Sequence, residues 1–148
     1  EQLELLKKNK VAVVCGILSG TLASLTGIFV LCMLFGFNHQ QYVTMLPKSI
    51  TTAIGIGISE ELGGIVTITV AVIIITGILG NVIADTVFHI FKIKNPLAKG
   101  LALGTASHAI GTARAIEMGP VEGAMSSLAV AVAGLLTVVF VSGFAQLI

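Results

Sequence analysis

Apolar positions run through this chain in three long blocks, and polar positions gather between them. Val11 to Phe37 is 27 residues without a charge. Ile65 to Phe91 is another 27, broken only by Asp85 and His89, and Gly123 to Ile148 is 26 more, again uncharged. A helix crossing a bilayer core needs about 20 apolar residues, so each block can span with some tilt. Ahead of the first, the stretch EQLELLKKNK reads as a short amphipathic helix with a basic flank.

Two segments between the blocks have a different pattern. MLPKSITTAIGIGISEELGG (45–64) and GLALGTASHAIGTARAIEMGP (100–120) are mildly apolar, rich in Gly, Ser and Thr, and charged at or near the middle. Such sequence makes a poor lipid-facing helix. Non-helical backbone at membrane depth persists only against protein or a water-filled cavity. Both segments are therefore expected to be broken or re-entrant helices buried in the bundle. The expected fold is all-α integral membrane: a polytopic helical bundle with two broken or re-entrant segments, one membrane domain over residues 1–148.

Composition removes the soluble alternatives. The chain is 55% hydrophobic and 10% charged, with a mean hydropathy of +1.05. A soluble domain carries about 25% charged residues. The formal net charge of +1 leaves no basic patch for nucleic acid. Cys15 and Cys32 share the first block, roughly 25 Å apart along a helix, too far for a disulfide; both read as buried apolar residues. There is no CxxC, HExxH or P-loop, so no metal or cofactor is expected. The first block is too long for a signal peptide, and no small-residue cleavage site follows it. The chain begins at Glu1 without an initiator Met, so a further segment is expected upstream.

The two unusual segments also resemble each other. Sliding the chain by 60 residues sets 49–72 against 109–132 with 8 of 24 positions identical, among them Thr52/Thr112, Ala53/Ala113 and Gly63/Gly123. An internal duplication is expected, with repeats over approximately 45–91 and 100–148. Lys7, Lys8 and Lys10 form one basic cluster and Lys92, Lys94 and Lys99 another. The positive-inside rule places both in the cytoplasm. Segment 45–64 then makes no net crossing, and the two repeats are inverted relative to each other. Inverted repeats with paired discontinuous segments are the pattern of secondary transporters, whose sites lie near the midplane. Small-residue pairs at Gly16/Gly20, with Ser24 a turn on, at Ala23/Gly27 and at Ala129/Ala133 are expected to carry helix contacts or an oligomer interface.

The chemistry concentrates in Gly104 to Glu117, which holds three hydroxyls, an imidazole, a guanidinium and a carboxylate. The run GLALGTASHAIGTARAIEMGPVEGAMSSLAVAVAGLLT (100–137) resembles the signature of the LrgB/CidB family. LPKSITTAIGIGISEELGG (46–64) resembles the same family's earlier motif, although members often carry Pro where Ala53 stands. The resemblance covers nearly the whole chain, and family members are longer at the N-terminus. It implies a multi-pass protein of the bacterial cytoplasmic (plasma) membrane. Bacterial members resembling it are antiholin-like proteins that work with a small LrgA/CidA-type membrane partner and affect murein hydrolase activity and lysis. Others are similar to small-carboxylate carriers: pyruvate uptake systems and a plastid glycolate/glycerate translocator.

The repeat pattern favours a carrier for a small monocarboxylate, with the antiholin-like regulator as the alternative. For such an anion, the Arg114 guanidinium can hold a carboxylate with two bonds. Freed N–H groups at broken-helix starts near Ser49–Thr52 and Ser107–Thr112 add positive dipole ends. The hydroxyls of Ser49, Thr51, Thr52, Ser107 and Thr112 can bind substrate oxygens. His108, Glu117, Glu60 and Glu61 are candidates for proton or ion coupling.

Each residue has a plainer alternative. Arg114 can pair with Glu117, Glu61 or Glu122 as structural glue. His108 can be a bundle histidine with its bonds satisfied. Glu60 and Glu61 can be solvated at a hairpin end, and the hydroxyls can bond their own helices. Asp85 and His89 sit where headgroups are expected, and Lys48 can snorkel or serve as a second anion anchor. Ser107 and His108 are adjacent and diverge on a helix, so no catalytic triad is visible and no enzyme is expected. A homo-oligomer in the lipid bilayer is the expected assembly.

Overall fold

The computed structural model describes residues 2–148, with side chains from Glu4 onward. The helices are α1 (Gln2–Lys8), α2 (Lys10–Leu34), α3 (His39–Met45), α4 (Thr52–Glu61), α5 (Val66–Ile90), α6 (Pro96–Met118) and α7 (Pro120–Ala145). The protein is an all-α, polytopic membrane bundle. Three helices, α2, α5 and α7, are long and apolar enough to cross a bilayer. At 1.5 Å per residue each is roughly 37 Å long. Their outward rows, such as Ile75, Leu79 and Val82 on α5 or Leu135 and Val139 on α7, are exposed, as lipid-facing side chains must be.

Helix ends follow local chemistry. Asn38 opens α3 with a capping box: its side chain accepts from the Gln41 N–H at 2.9 Å, and the Gln41 side chain accepts from the Asn38 N–H at 3.0 Å. Asn95 caps α6 by accepting from the Leu97 N–H at 2.9 Å, with Pro96 at the first helical position. The α2, α4 and α5 C-termini close through left-handed residues, Gly36 (φ 65), Gly63 (φ 75) and Lys92 (φ 54), each followed by a back-bond to the last turn.

Contacts fix the direction of every element. α2 runs from the end bearing Lys10, here the lysine end, to the far end at Phe37. α3 turns back inward, and the Tyr42 hydroxyl donates to the Phe144 carbonyl at 2.8 Å, pinning it to the last turns of α7. Pro47, which cannot extend the helical ladder, and the extended Thr51 (φ −65, ψ 143) break the chain beside Ser24, halfway along α2. α4 then returns to the far end. There the Thr44 hydroxyl accepts from the Ile65 N–H at 2.8 Å, and Thr69 donates to the Thr44 carbonyl at 2.9 Å. Residues 39–61 are thus a re-entrant hairpin, and α5 carries the chain back to the lysine end.

α6 is the second interrupted segment. Its first arm, 96–107, runs inward beside α2: a Cβ on Gly16 would meet Leu101, and one on Gly20 would lie 2.7 Å from the Thr105 hydroxyl. His108 then departs from helical geometry (φ 43, ψ −135), and the chain reverses. The second arm, 109–118, runs outward between α5 and α7, with Ile110 beside Gly77, Thr112 beside Ser126 and Ile116 beside Gly123. α7 returns to the far end. A re-entrant hairpin followed by a span therefore occurs twice, in opposite directions.

The core lies along the inner faces. Val13, Ile17, Leu97, Leu101, Met125, Ala129 and Ala133 pack the lysine half. Leu25, Ile28, Tyr42, Leu46, Ile58 and Val141 pack the far half. Ala129 and Ala133 are buried at 0% and 2%, whereas among the described residues nothing lies within 4 Å of a Cβ on Gly27.

The hairpins predict a labelling pattern. In a background lacking Cys15 and Cys32, cysteines at Lys8 and Lys94 will react with an impermeant thiol reagent from one side of the membrane, and a cysteine at Gln40 from the other. Reaction of Lys8→Cys and Lys94→Cys from opposite sides would disprove the re-entrant course of residues 39–61. A Cβ on Gly104 would come within 2.7 Å of Ala129 Cβ and closer still to the Ser126 carbonyl. Gly104→Val is therefore expected to cost at least about 1–3 kcal/mol by overpacking, seen as a lower Tm in detergent, while Gly27→Ala leaves Tm unlowered.

Candidate functional site at the meeting of the two turns

Both interruptions bring unusual side chains to the middle of the bundle. In the first, the chain crosses from Leu46 to Thr51 with Ser49 and Ile50 buried. The half-buried Lys48 ammonium donates to Ser49 Oγ at 2.7 Å and faces Ser24 Oγ on α2 at 3.4 Å. Among the described residues no carboxylate lies within ion-pairing distance of Lys48. Thr51 is the N-cap of α4, and its side chain makes no capping bond. Thr52 begins α4, so the positive end of that helix points into the middle of the bundle.

The second interruption turns on His108, which is 3% exposed. Its Nε2–H donates to the Ile73 carbonyl on α5 at 2.9 Å. Gly77 and Gly80 make room for this turn. A Cβ on Gly77 would lie 2.8 Å from His108 Cε1, and one on Gly80 would overlap the Ser107 side chain. Side chains also bind backbone carbonyls where the second arm begins. Asn81 Nδ2 donates to the Ile110 carbonyl at 3.0 Å, and the Thr112 hydroxyl donates to the His108 carbonyl at 2.9 Å. Thr112 is also 2.8 Å from Ser126 Oγ, which ties the second arm to α7.

The turns meet along α2. Ser24, Ser49 and Thr105 border a small void together with Thr21, Leu46 and Thr137. On the outer side Lys48, Ser49, Ser24 and Thr105 close one end of a groove of about 770 Å³ between α2 and the first arm of α6, which extends to Ala12 and Asn95 at the lysine end. Ser49 thus lies at this meeting point. Ser107 and His108 face α5 on the other side of the same arm, and Thr51 and Thr52 stand at the α4 start.

The remaining candidates lie away from the middle. Arg114 is on the second arm toward the lysine end, ion-paired with Asp85 on α5 and with Glu117 at 2.6 Å. All three side chains are partly exposed. Glu60 and Glu61 are exposed at the far end of α4 and form no ion pair among the described residues. Asn81, Thr105 and Thr21 are polar participants that sequence reasoning passed over. For Asn81 the available signal was an amide inside an otherwise apolar block, one residue after Gly80.

These observations define a class: a helical membrane protein with two interrupted helical hairpins that enter from opposite ends and meet near mid-depth. A family model described as LrgB-like family matches residues 1–147. The chain is 39% identical over 148 residues to the antiholin-like protein LrgB of Bacillus subtilis (strain 168), covering 100% of this chain and 64% of that protein. It is 40% identical over 144 residues to the protein of the same name in Bacillus cereus (strain B4264), covering 97% of this chain and 63% of that one. The chain belongs to the LrgB-like family, and it spans a little under two thirds of these relatives' length. No solved structure matches it.

Asn81 offers a direct check of the second turn. Asn81→Leu removes the donor to the Ile110 carbonyl, at a cost of about 1 kcal/mol. Thermal unfolding in detergent should register the loss, with Asn81→Gln intermediate. An unchanged Tm for Asn81→Leu would mean that this bond does not hold the turn.

Proposed function

We propose that this chain is the core of a secondary carrier for a small monocarboxylate of the pyruvate, glycolate or glycerate kind. The observation that carries the reading is the pair of opposed hairpins, each turning near mid-depth. They place two helix starts, at Thr52 and just after His108, in the middle of the bundle. Helix starts present free N–H groups and a positive dipole end to an anion, the arrangement that carriers built from inverted repeats use at their sites. The weak identity between residues 49–72 and 109–132 supports an ancestral duplication behind the two units.

Within this reading Ser49, Thr51 and Thr52 serve the first helix start, and Ser107 and Thr112 flank the second. His108, between them, is the group placed for proton coupling. Arg114 acts nearer the lysine end. Its guanidinium is shared by two carboxylates, so it becomes a carboxylate receptor only when Asp85 or Glu117 lets go. Glu117 then couples release to proton uptake, and Glu60 and Glu61 present carboxylates at the opposite end.

The relatives are named antiholin-like, which favours a second reading; with the family resemblance, it is that of a regulator of murein hydrolase activity acting through a small LrgA/CidA-type partner in the bacterial plasma membrane. The Ala23/Gly27 face of α2, open at Gly27, suits a helix of such a partner.

Uptake of radiolabelled pyruvate and glycolate into proteoliposomes holding the full-length protein, with and without the small partner, separates the two. Saturable uptake above empty vesicles is expected. Uptake equal to empty vesicles in both preparations would reject the carrier. The regulator would then be supported by a lysis phenotype that Gly27→Leu abolishes and Arg114→Ala leaves intact.

A further inference from the structure

Among the charged and titratable side chains near the turns and on the second arm, all but one have a compensating partner. Arg114 has two carboxylates. His108 has the Ile73 carbonyl, Asn81 has Ile110, and Thr112 has His108 and Ser126. Lys48 has hydroxyl partners only, at 2.7 Å and 3.4 Å. A half-buried ammonium without an opposite charge is only partly compensated by hydroxyls, and an arriving anion supplies the missing charge.

A second observation falls at the same place. Thr21 on α2 is 3% exposed, and its hydroxyl has no hydrogen-bond partner, the one such buried side-chain atom among the described residues. It borders the void of about 10 Å³ shared with Ser24, Ser49, Thr105 and Thr137. Thr105 and Thr137 give their protons to helix carbonyls at 2.8 Å, so their lone pairs remain free. Ser24 and Ser49 accept from Lys48, so their protons remain free. The region therefore offers one cation with unused hydroxyl donors and acceptors at one end of an accessible groove.

From this geometry we infer that the groove end formed by Lys48, Ser24, Ser49 and Thr105 is the binding site for the monocarboxylate. Lys48 takes the carboxylate, and the hydroxyls take the oxygen on the neighbouring carbon. The inference rests on the carrier reading and shifts its site: of the hydroxyls named for the two helix starts, only Ser49 lines this groove. The void behind the hydroxyls has room for one water, which Thr21 can hold. The groove runs from Lys48 to the lysine end, and on its other side Lys48 lines a smaller apolar pocket that reaches Phe35 and Phe37 at the far end.

The test uses the full-length protein lacking Cys15 and Cys32. Lys48→Gln is expected to reduce pyruvate and glycolate uptake at least tenfold, and Lys48→Arg to retain part of it. A cysteine at Ala98, on the groove wall, is expected to react with an impermeant maleimide from the lysine side and to be slowed several-fold by pyruvate. A cysteine at Lys94, exposed at the lysine end and outside the groove lining, will show no such protection. Wild-type uptake that survives Lys48→Gln unchanged would overturn the site and leave the carrier standing, whereas no wild-type uptake would overturn both. If Lys48→Gln does not assemble, the Ala98→Cys measurement decides, because it keeps the lysine. Protection there supports the site, and equal labelling with and without pyruvate, in a protein that transports it, rejects it.

Discussion

Everything in this bundle answers to the need of a broken backbone for partners where water is scarce. An unsatisfied amide or carbonyl in hydrocarbon costs several kcal/mol, and each hairpin breaks its helix near the middle of the bundle. The partners come from neighbouring helices and from hydroxyls. Asn81 takes the Ile110 carbonyl, Thr112 takes the His108 carbonyl, and Thr44 takes the Ile65 amide. The glycines of α5 exist for the same reason: without room at Gly77 and Gly80 the turn at His108 could not come close enough to be served. α6 accordingly packs against α2, α5 and α7 at once, and the three spans are arranged around it.

Charge is distributed by the same logic. The guanidinium sits on the second arm toward one end, where partial exposure is tolerable and two carboxylates share it. The carboxylates of α4 stand at the opposite end in the open. Only Lys48 and His108 carry nitrogen bases to the turns, and their environments differ. The imidazole is fixed by a carbonyl, and the ammonium rests on hydroxyls that can rearrange. The 60-residue slide that aligns Thr52 with Thr112 also sets Lys48 against His108.

Much of this was legible because lipid imposes a simple code. Three uncharged or nearly uncharged blocks became α2, α5 and α7, with ends within a few residues of the apolar limits. The Gly, Ser and Thr content of 45–64 and 100–120 announced interrupted helices, because such side chains suit protein neighbours better than lipid. What stayed hidden depends on pairings distant in sequence. The partner of Arg114 that lies off its own helix is Asp85, 29 residues away, where the sequence suggested headgroups. The turn at His108 carries no proline or glycine at its centre, so local propensity does not mark it. Its stop is imposed from α5. Thr21 and Thr105 looked like ordinary helix threonines until the first hairpin was placed against them.

The joints between hairpin and span are unequal. Gly119 alone links the second arm of α6 to α7, and Ile116 and Thr112 lie directly on Gly123 and Ser126. Four residues, 62–65, link α4 to α5. The second hairpin is therefore splinted to its span, and any displacement of its outgoing arm must drag α7 along like the two leaves of a stiff hinge. The first hairpin has the longer linker, and side-chain bonds from Thr44 and Ser59 to the start of α5 hold it instead. One hairpin is thus fixed to its span by a short joint and packing, the other by hydrogen bonds across a longer one.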